Sequence, residues 1–187
     1  GDGTTIYYTG LAGEECMRKV VGTDGVQLLM DGERGSERIV ERISSFSHTY
    51  YTGKKGEEAV WKRVFADGEV HFFAGPRKQE HMLQTVKPDG TKVWYHGPAG
   101  SEVVTKKSYK MQIGSNLCDV TISYDSVDGE LCKMREVVDY GDTEETVNYD
   151  RAEKCPHAIA DGTPCKECAG RNVVVVSKSL YRKDSPG

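Results

Sequence analysis

The chain has 187 residues with 25 Lys and Arg against 29 Asp and Glu, and the net charge of -4 excludes a global positive field that would gather nucleic acid or anionic membrane. Hydrophobic residues amount to 37% and Gly is abundant at 21, which argues against a thick globular core and for a thin sheet with one covered face. No apolar run approaches the roughly 20 residues of a membrane helix, no charged-then-apolar leader is read, and no Asn-x-Ser/Thr acceptor occurs.

Taken from its start, the chain repeats itself. Gly10, Gly32, Gly53, Gly75 and Gly97 recur at steps of 22, 21, 22 and 22, and Glu15, Glu37, Glu58, Glu80 and Glu102 keep the same steps. Asp24-Gly25, Asp67-Gly68 and Asp89-Gly90 form a third column that begins at Asp2-Gly3, with Phe46-Ser47 where the remaining pair is due and one residue missing nearby. Five copies of one unit therefore fill residues 2 to about 109, and such periods mark arrays in which each unit packs on its neighbours. The first residue is Gly1, on a unit boundary, which reads as an excised or processed chain.

Each unit predicts two strands and two tight turns. Before the Gly column stand Tyr7, Leu29, Tyr50, Phe72 and Trp94, followed by Tyr8, Met30, Tyr51, Phe73 and Tyr95, large β-favouring side chains on both parities of one strand. After the Glu column, Met17, Ile39, Val60, Met82 and Val104 begin a second strand, and a regular pleat places Lys19, Glu41, Lys62, Gln84 and Lys106 on the same face. Asp-Gly between β-like runs predicts a type I′ hairpin turn, which needs positive φ at both central residues. The other link, Gly-x-x-Gly-x-Glu as in Gly53 to Glu58, predicts a turn capped by the carboxylate through backbone N–H groups; an acidic stripe for basic partners is the competing use.

These residues resemble MORN-type repeats, in which an aromatic, one residue and Gly lead through a Gly-rich turn to a second strand and Asp-Gly. Tyr51, Gly53, Gly56, Asp67, Gly68 and Phe72 match that outline most fully, with a shorter hairpin loop and a Glu where another Gly is usual. The pattern is closer to a MORN-like variant of algal proteins that reads aromatic, x, Gly, x, x, Gly, x, Glu. The resemblance implies a twisted antiparallel β meander and an adaptor role, attaching proteins or membranes rather than catalysing a reaction.

Beyond Tyr109 the period is lost. Residues 117 to 140 predict a longer hairpin, with Cys118 and Cys132 each seven residues from Asp125 and so opposite one another, either as a buried reduced pair or as a disulfide. Asp139 to Asp150 reads as a turn and a further strand, closing an edge that would otherwise invite aggregation. Val173 to Val176 predicts a short buried strand, and Tyr181 to Gly187 a polar tail.

Cys155, His157, Cys165 and Cys168 form a CxH, seven residues, CxxC pattern, and thiolate with imidazole is the ligand set of tetrahedral zinc. Four ligands with no open position point to structural rather than catalytic metal, and redox or disulfide use is the alternative. The stretch is similar to the short CxHG and CKxCGG zinc repeats of algal and algal-virus proteins, departing from them at Ala158, at Ala169 and in its longer loop.

No HExxH, GxSxG or GxxxxGK[ST] motif occurs, and His48, His71, His81 and His96 take different repeat positions. The expectation is an all-β, non-enzymatic scaffold: repeats over 1–110, a capping hairpin over 111–150 and a zinc module over 151–187. Tyr8, Tyr51, Phe73 and Tyr95 line its expected protein-docking face, with self-association also expected of an open array. A zinc-dependent nucleic-acid module using the basic residues around Arg171, Lys178 and Arg182 is the runner-up, and attachment to anionic lipid the third reading. Zinc thiolates imply a reducing compartment, cytoplasm or nucleus.

Overall fold

The computed structural model describes residues 3–127, 130–151 and 173–183. The protein is all-β: fourteen strands follow one another in chain order as one antiparallel meander, and no helix occurs among the described residues. The chain divides into two compact units, Gly1–Asp89 with His96–Glu102, and Gly90–Tyr95 with Val103–Gly187.

In the first unit β1 (Thr5–Thr9), β2 (Cys16–Val21), β3 (Gln27–Asp31), β4 (Arg38–Ile43), β5 (Ser47–Thr52), β6 (Ala59–Phe65), β7 (Val70–Ala74) and β8 (His81–Val86) are the paired strands of four repeats. The Gly-x-x-Gly link, with Lys78 in place of the second Gly in the fourth repeat, joins the strands within each repeat, and the Asp-Gly link joins one repeat to the next except over Ser44–Ser47. The Asp-Gly links are three-residue loops rather than the two-residue type I′ turns expected. Gly25 N–H donates to Gly22 O at 3.0 Å and Gly22 N–H to Val26 O at 2.9 Å, and only the glycine takes positive φ, 77°. The Asp closes the loop, its Oδ1 accepting the N–H of Val26 at 3.0 Å and, in the equivalent loop, Asp67 Oδ1 accepting that of Glu69 at 2.9 Å.

Ser44 to Ser47 is the exception that the repeat count flagged. With one residue fewer, the Ser44 N–H donates to Ser47 O at 2.9 Å across a two-residue loop, and the Ser44 hydroxyl takes the place of the aspartate, accepting from Ser47 N–H at 3.1 Å.

The second strand of each repeat is not regular. Tyr7 pairs with Lys19 and Tyr8 with Met17, so Arg18 is an extra residue, and Val40, Trp61 and Leu83 repeat the bulge. Each bulge shifts parity by one. Met17 therefore shares a face with Tyr8, whereas Lys19 and Val21 share the other with Tyr7, correcting the single face expected from a regular pleat.

Few side chains are fully buried, as a single-layer sheet dictates; Thr49, Ala59 and Thr85 are the buried ones of the first unit. In the second unit, β9 (Lys92–His96), β10 (Val103–Ile113), β11 (Asn116–Val127), β12 (Glu130–Asp139), β13 (Thr143–Arg151) and β14 (Val173–Arg182) bury Cys118, Val120, Ile122 and Cys132. The expected long hairpin is β11 and β12, but Asp125 pairs with Cys132 while Cys118 pairs with Met111 of β10. Because Cys118 and Asp125 differ in parity along the unbroken β11, the two cysteines point to opposite faces, and both thiols are free. β14 is longer than the run Val173 to Val176, taking in Tyr181 and Arg182. Val175 and Val176 are exposed rather than buried, because β14 is the last strand of the sheet order and pairs with β13 alone.

Candidate functional site

The register sorts the first unit into two faces. On one, Tyr7, Lys19, Leu29, Glu41, Tyr50, Lys62, Phe72 and Gln84 form a continuous row of directly paired residues crossing eight strands. Lysines lie over the rings of this row, Lys19 at 5.6 Å from the Tyr7 centroid and Lys62 at 5.4 Å from that of Tyr50. Trp61, the bulge residue of its repeat, tilts against Tyr50 at 6.1 Å. Burial raises the pKa of the Tyr50 phenol, and the neighbouring Glu41 carboxylate raises it further.

The opposite face carries the expected docking residues Tyr8, Tyr51 and Phe73, paired respectively with Met17, Val60 and Met82. Met30 and Ile39 supply the same pair in the second repeat. Tyr8 is exposed, and Tyr51 and Phe73 are half-buried. Around Phe73 the face is a packed cluster: His71 contacts Phe65 at 4.8 Å and Phe73 at 6.1 Å, and the Arg63 guanidinium lies over both phenylalanine rings. Tyr95 is half-buried on β9, in the second unit.

What holds successive repeats together is at the Gly-x-x-Gly-x-Glu turns. One carboxylate oxygen of Glu15, Glu37, Glu58 and Glu102 accepts from the N–H two residues earlier, Glu15 from Gly13 and Glu37 from Gly35 at 2.9 Å, Glu58 from Gly56, and Glu102 from Gly100 at 2.8 Å, as the capping reading expected. The other oxygen reaches back into the preceding repeat. Glu37 accepts the N–H of Met17 and Glu58 that of Ile39, both at 3.4 Å; Glu80 accepts that of Val60 at 3.2 Å and Glu102 that of Met82 at 2.9 Å. One column of carboxylates thus closes its own turn and fastens the neighbouring strand.

The electrostatics follow from these contacts. The Glu37 carboxyl is held below the usual glutamate range by its own backbone N–H, with those of Met17 and Gly35 adding to it against the opposing effect of burial. Glu102 is lowered first by the N–H of Met82. For Glu58 burial pushes upward, and the N–H groups of Glu58, Ile39 and Gly56 outweigh it.

Basic side chains add a second set of joins that sequence reasoning missed. Arg34 donates to Gly13 O, Lys55 to Gly35 O at 2.9 Å and Arg77 to Gly56 O, each spanning one repeat to the turn before it. Arg18 reaches forward to Gly32 O at 2.9 Å and Arg38 to Gly53 O at 2.6 Å. The signal was present in the middle repeats, where a basic residue stands two positions after the first Gly.

Two open depressions border the turns. One of 320 Å³ is lined by the serines of the short loop with His48, Tyr50 and Phe65, and one of 500 Å³ by Arg38, Lys54 and Lys55 with Gly32, Glu33 and Ser36. Cys155, His157, Cys165 and Cys168 lie outside the described residues, and among the described ones no group of three His, Cys, Asp or Glu is placed to hold a metal. No helix of the described residues is long and apolar enough to cross a membrane. No protein-family model matches the chain, and no curated protein matches it significantly.

Proposed function

We propose that this chain is a non-enzymatic interaction scaffold built of MORN-like repeats, with the Tyr8, Tyr51 and Phe73 face docking another protein and a structural zinc held by Cys155, His157, Cys165 and Cys168. The observation that carries the reading is the division of labour in each repeat. The joins between repeats are made by backbone, carboxylate and guanidinium groups at the turns. The apolar face is thereby left with aromatic rings half-exposed along it, and exposed or half-exposed aromatics are the usual anchors of protein interfaces. Tyr95 takes the same position of the repeat period in the fifth repeat of the sequence. The free thiols of Cys16, Cys118 and Cys132 accord with a reducing compartment, cytoplasm or nucleus.

The test is capture of partners by the tagged chain, with and without nuclease, beside a Tyr51→Ser, Phe73→Ser variant and a Cys165→Ser, Cys168→Ser variant. Nuclease-resistant capture of a defined protein, lost in the face variant, is the expected result. Capture that disappears with nuclease or with the cysteine variant moves the function to the C-terminal segment. Light scattering of the same samples shows whether the partner is a second copy.

A further inference from the structure

We infer that Ser45 is a phosphorylation site for an arginine-directed serine kinase using ATP. The argument starts from what the fold leaves unspent. Of the arginines in the first unit, Arg18, Arg34, Arg38 and Arg77 are bound to backbone carbonyls, and Arg63 bonds the Thr49 hydroxyl and covers two rings. The Arg42 residue is exposed, and its guanidinium has no hydrogen bond, ion pair or ring contact among the described residues. Phe46, at the tip of the short loop, is 79% exposed, more than any other large apolar side chain described. Between them Ser45 is exposed, and its hydroxyl has no partner among the described residues.

This serine stands three residues after the free arginine and directly before the free phenylalanine, in the one inter-repeat link that gives up the Asp-Gly pair. An exposed guanidinium pairs with kinase carboxylates, an exposed ring at the next position fills an apolar groove, and the hydroxyl between them is the acceptor. The neighbouring serines do not qualify. Ser44 donates its hydroxyl to Ser47 O at 3.0 Å while accepting from the Ser47 N–H at 3.1 Å, and the residue three before it is Glu41. Ser47 is half-buried, and three before it is Ser44.

In the transfer the Ser45 oxygen forms a bond to the γ-phosphorus of ATP, the bond from that phosphorus to the β,γ-bridging oxygen breaks, and ADP leaves. The hydroxyl proton passes to the kinase's catalytic aspartate. Opening the loop to the extended form a kinase binds gives up the bonds made by Ser44 and the one from the Ala66 N–H to Phe46 O at 2.9 Å. The product is a dianion at a loop tip whose own hydroxyl carried no structural bond, so it adds a charge-recognition mark without unfolding the repeat.

The experiment incubates the full chain with ATP and the catalytic subunit of the cAMP-dependent protein kinase, and maps phosphate by fragmentation mass spectrometry. The expected result is one phosphate on Ser45, absent in Ser45→Ala, with an initial rate lowered about tenfold or more in Arg42→Gln by loss of a charge-assisted contact. Both variants keep the far-ultraviolet spectrum of the parent. Phosphate on Ser44 or Ser47, an unchanged rate in Arg42→Gln, or no incorporation while a standard peptide is phosphorylated alongside would each overturn the assignment.

Discussion

The Glu102 carboxylate accepts the main-chain N–H of Met82 at 2.9 Å with one oxygen and that of Gly100 at 2.8 Å with the other, so a single side chain ties a strand of the fourth repeat to the turn of the fifth. The same two-ended contact occurs at Glu37, and Glu58 holds Ile39 in the same way. In a sheet with so little buried apolar volume, these carboxylates take over part of what a core does elsewhere.

Removing one clamp leaves two backbone donors without their charged acceptor. Glu58→Ala is expected to cost about 1.5–3 kcal/mol, the range for hydrogen bonds to charged groups. Urea denaturation of the full chain measures it. Glu15, whose glutamate closes only its own turn in the described residues, serves as the comparison, and Glu15→Ala is expected to cost less than Glu58→Ala.

The carboxylates also set an acid limit. Glu37, Glu58 and Glu102 have folded-state pKa values below their ordinary value. A depressed carboxylate stabilises the fold in full above the unfolded pKa of about 4.3, and that stabilisation is lost as pH falls through the lower folded value. Thermal midpoints should therefore stay level from neutrality to about pH 5 and fall below about pH 4. Glu102→Gln should shallow that fall; an equally steep one would assign the acid sensitivity to other groups.

Where a turn has two glycines, they differ in kind. A Cβ on Gly53, at φ 111°, would lie 2.6 Å from the Glu57 carbonyl oxygen, whereas one on Gly56, at φ 82°, meets nothing within 4 Å. Gly53→Ala should thus fail to fold or unfold far earlier than Gly56→Ala, which costs only the left-handed backbone penalty of about 1–2 kcal/mol. Lys78 already occupies the Gly56 position of its own turn at φ 67°. Lys78→Gly is expected to stabilise the chain by about 1 kcal/mol, read from the same urea curves.

Opposed faces forbid one cross-link. Under mild oxidation of the folded chain no Cys118–Cys132 disulfide should form, because the strand between them would have to be pulled out of register. Alkylation followed by peptide mapping should label the half-buried Cys16 well before either buried thiol. A Cys118–Cys132 peptide recovered without denaturant would contradict the register.

The fold class and the repeat boundaries were legible because a strand pair and its two turns need particular residues at fixed offsets. Gly53 with its positive φ, Asp67 closing its loop and Glu58 capping its turn each act within a few residues, and a local requirement leaves its mark in one period of sequence. What needs two periods was not legible in the same way. The second oxygen of Glu58 meets Ile39 only when the preceding repeat is laid alongside, and Arg38 finds Gly53 O by the same juxtaposition.

The column of Tyr8, Tyr51 and Phe73 was legible as large side chains, but not its sorting onto faces. A single extra residue, Trp61 in the third repeat, reverses which of its neighbours stand beside Tyr51, and a bulge is defined by the partner strand rather than by its own residues. The same holds for Cys118 and Cys132, whose spacing about Asp125 suggested a facing pair until the register set them on opposite sides. The sequence by itself determined that the chain turns, where it turns and what closes each turn. Only the tertiary structure decided which groups meet across repeats, because those contacts depend on strand register, and register is a property of two segments at once.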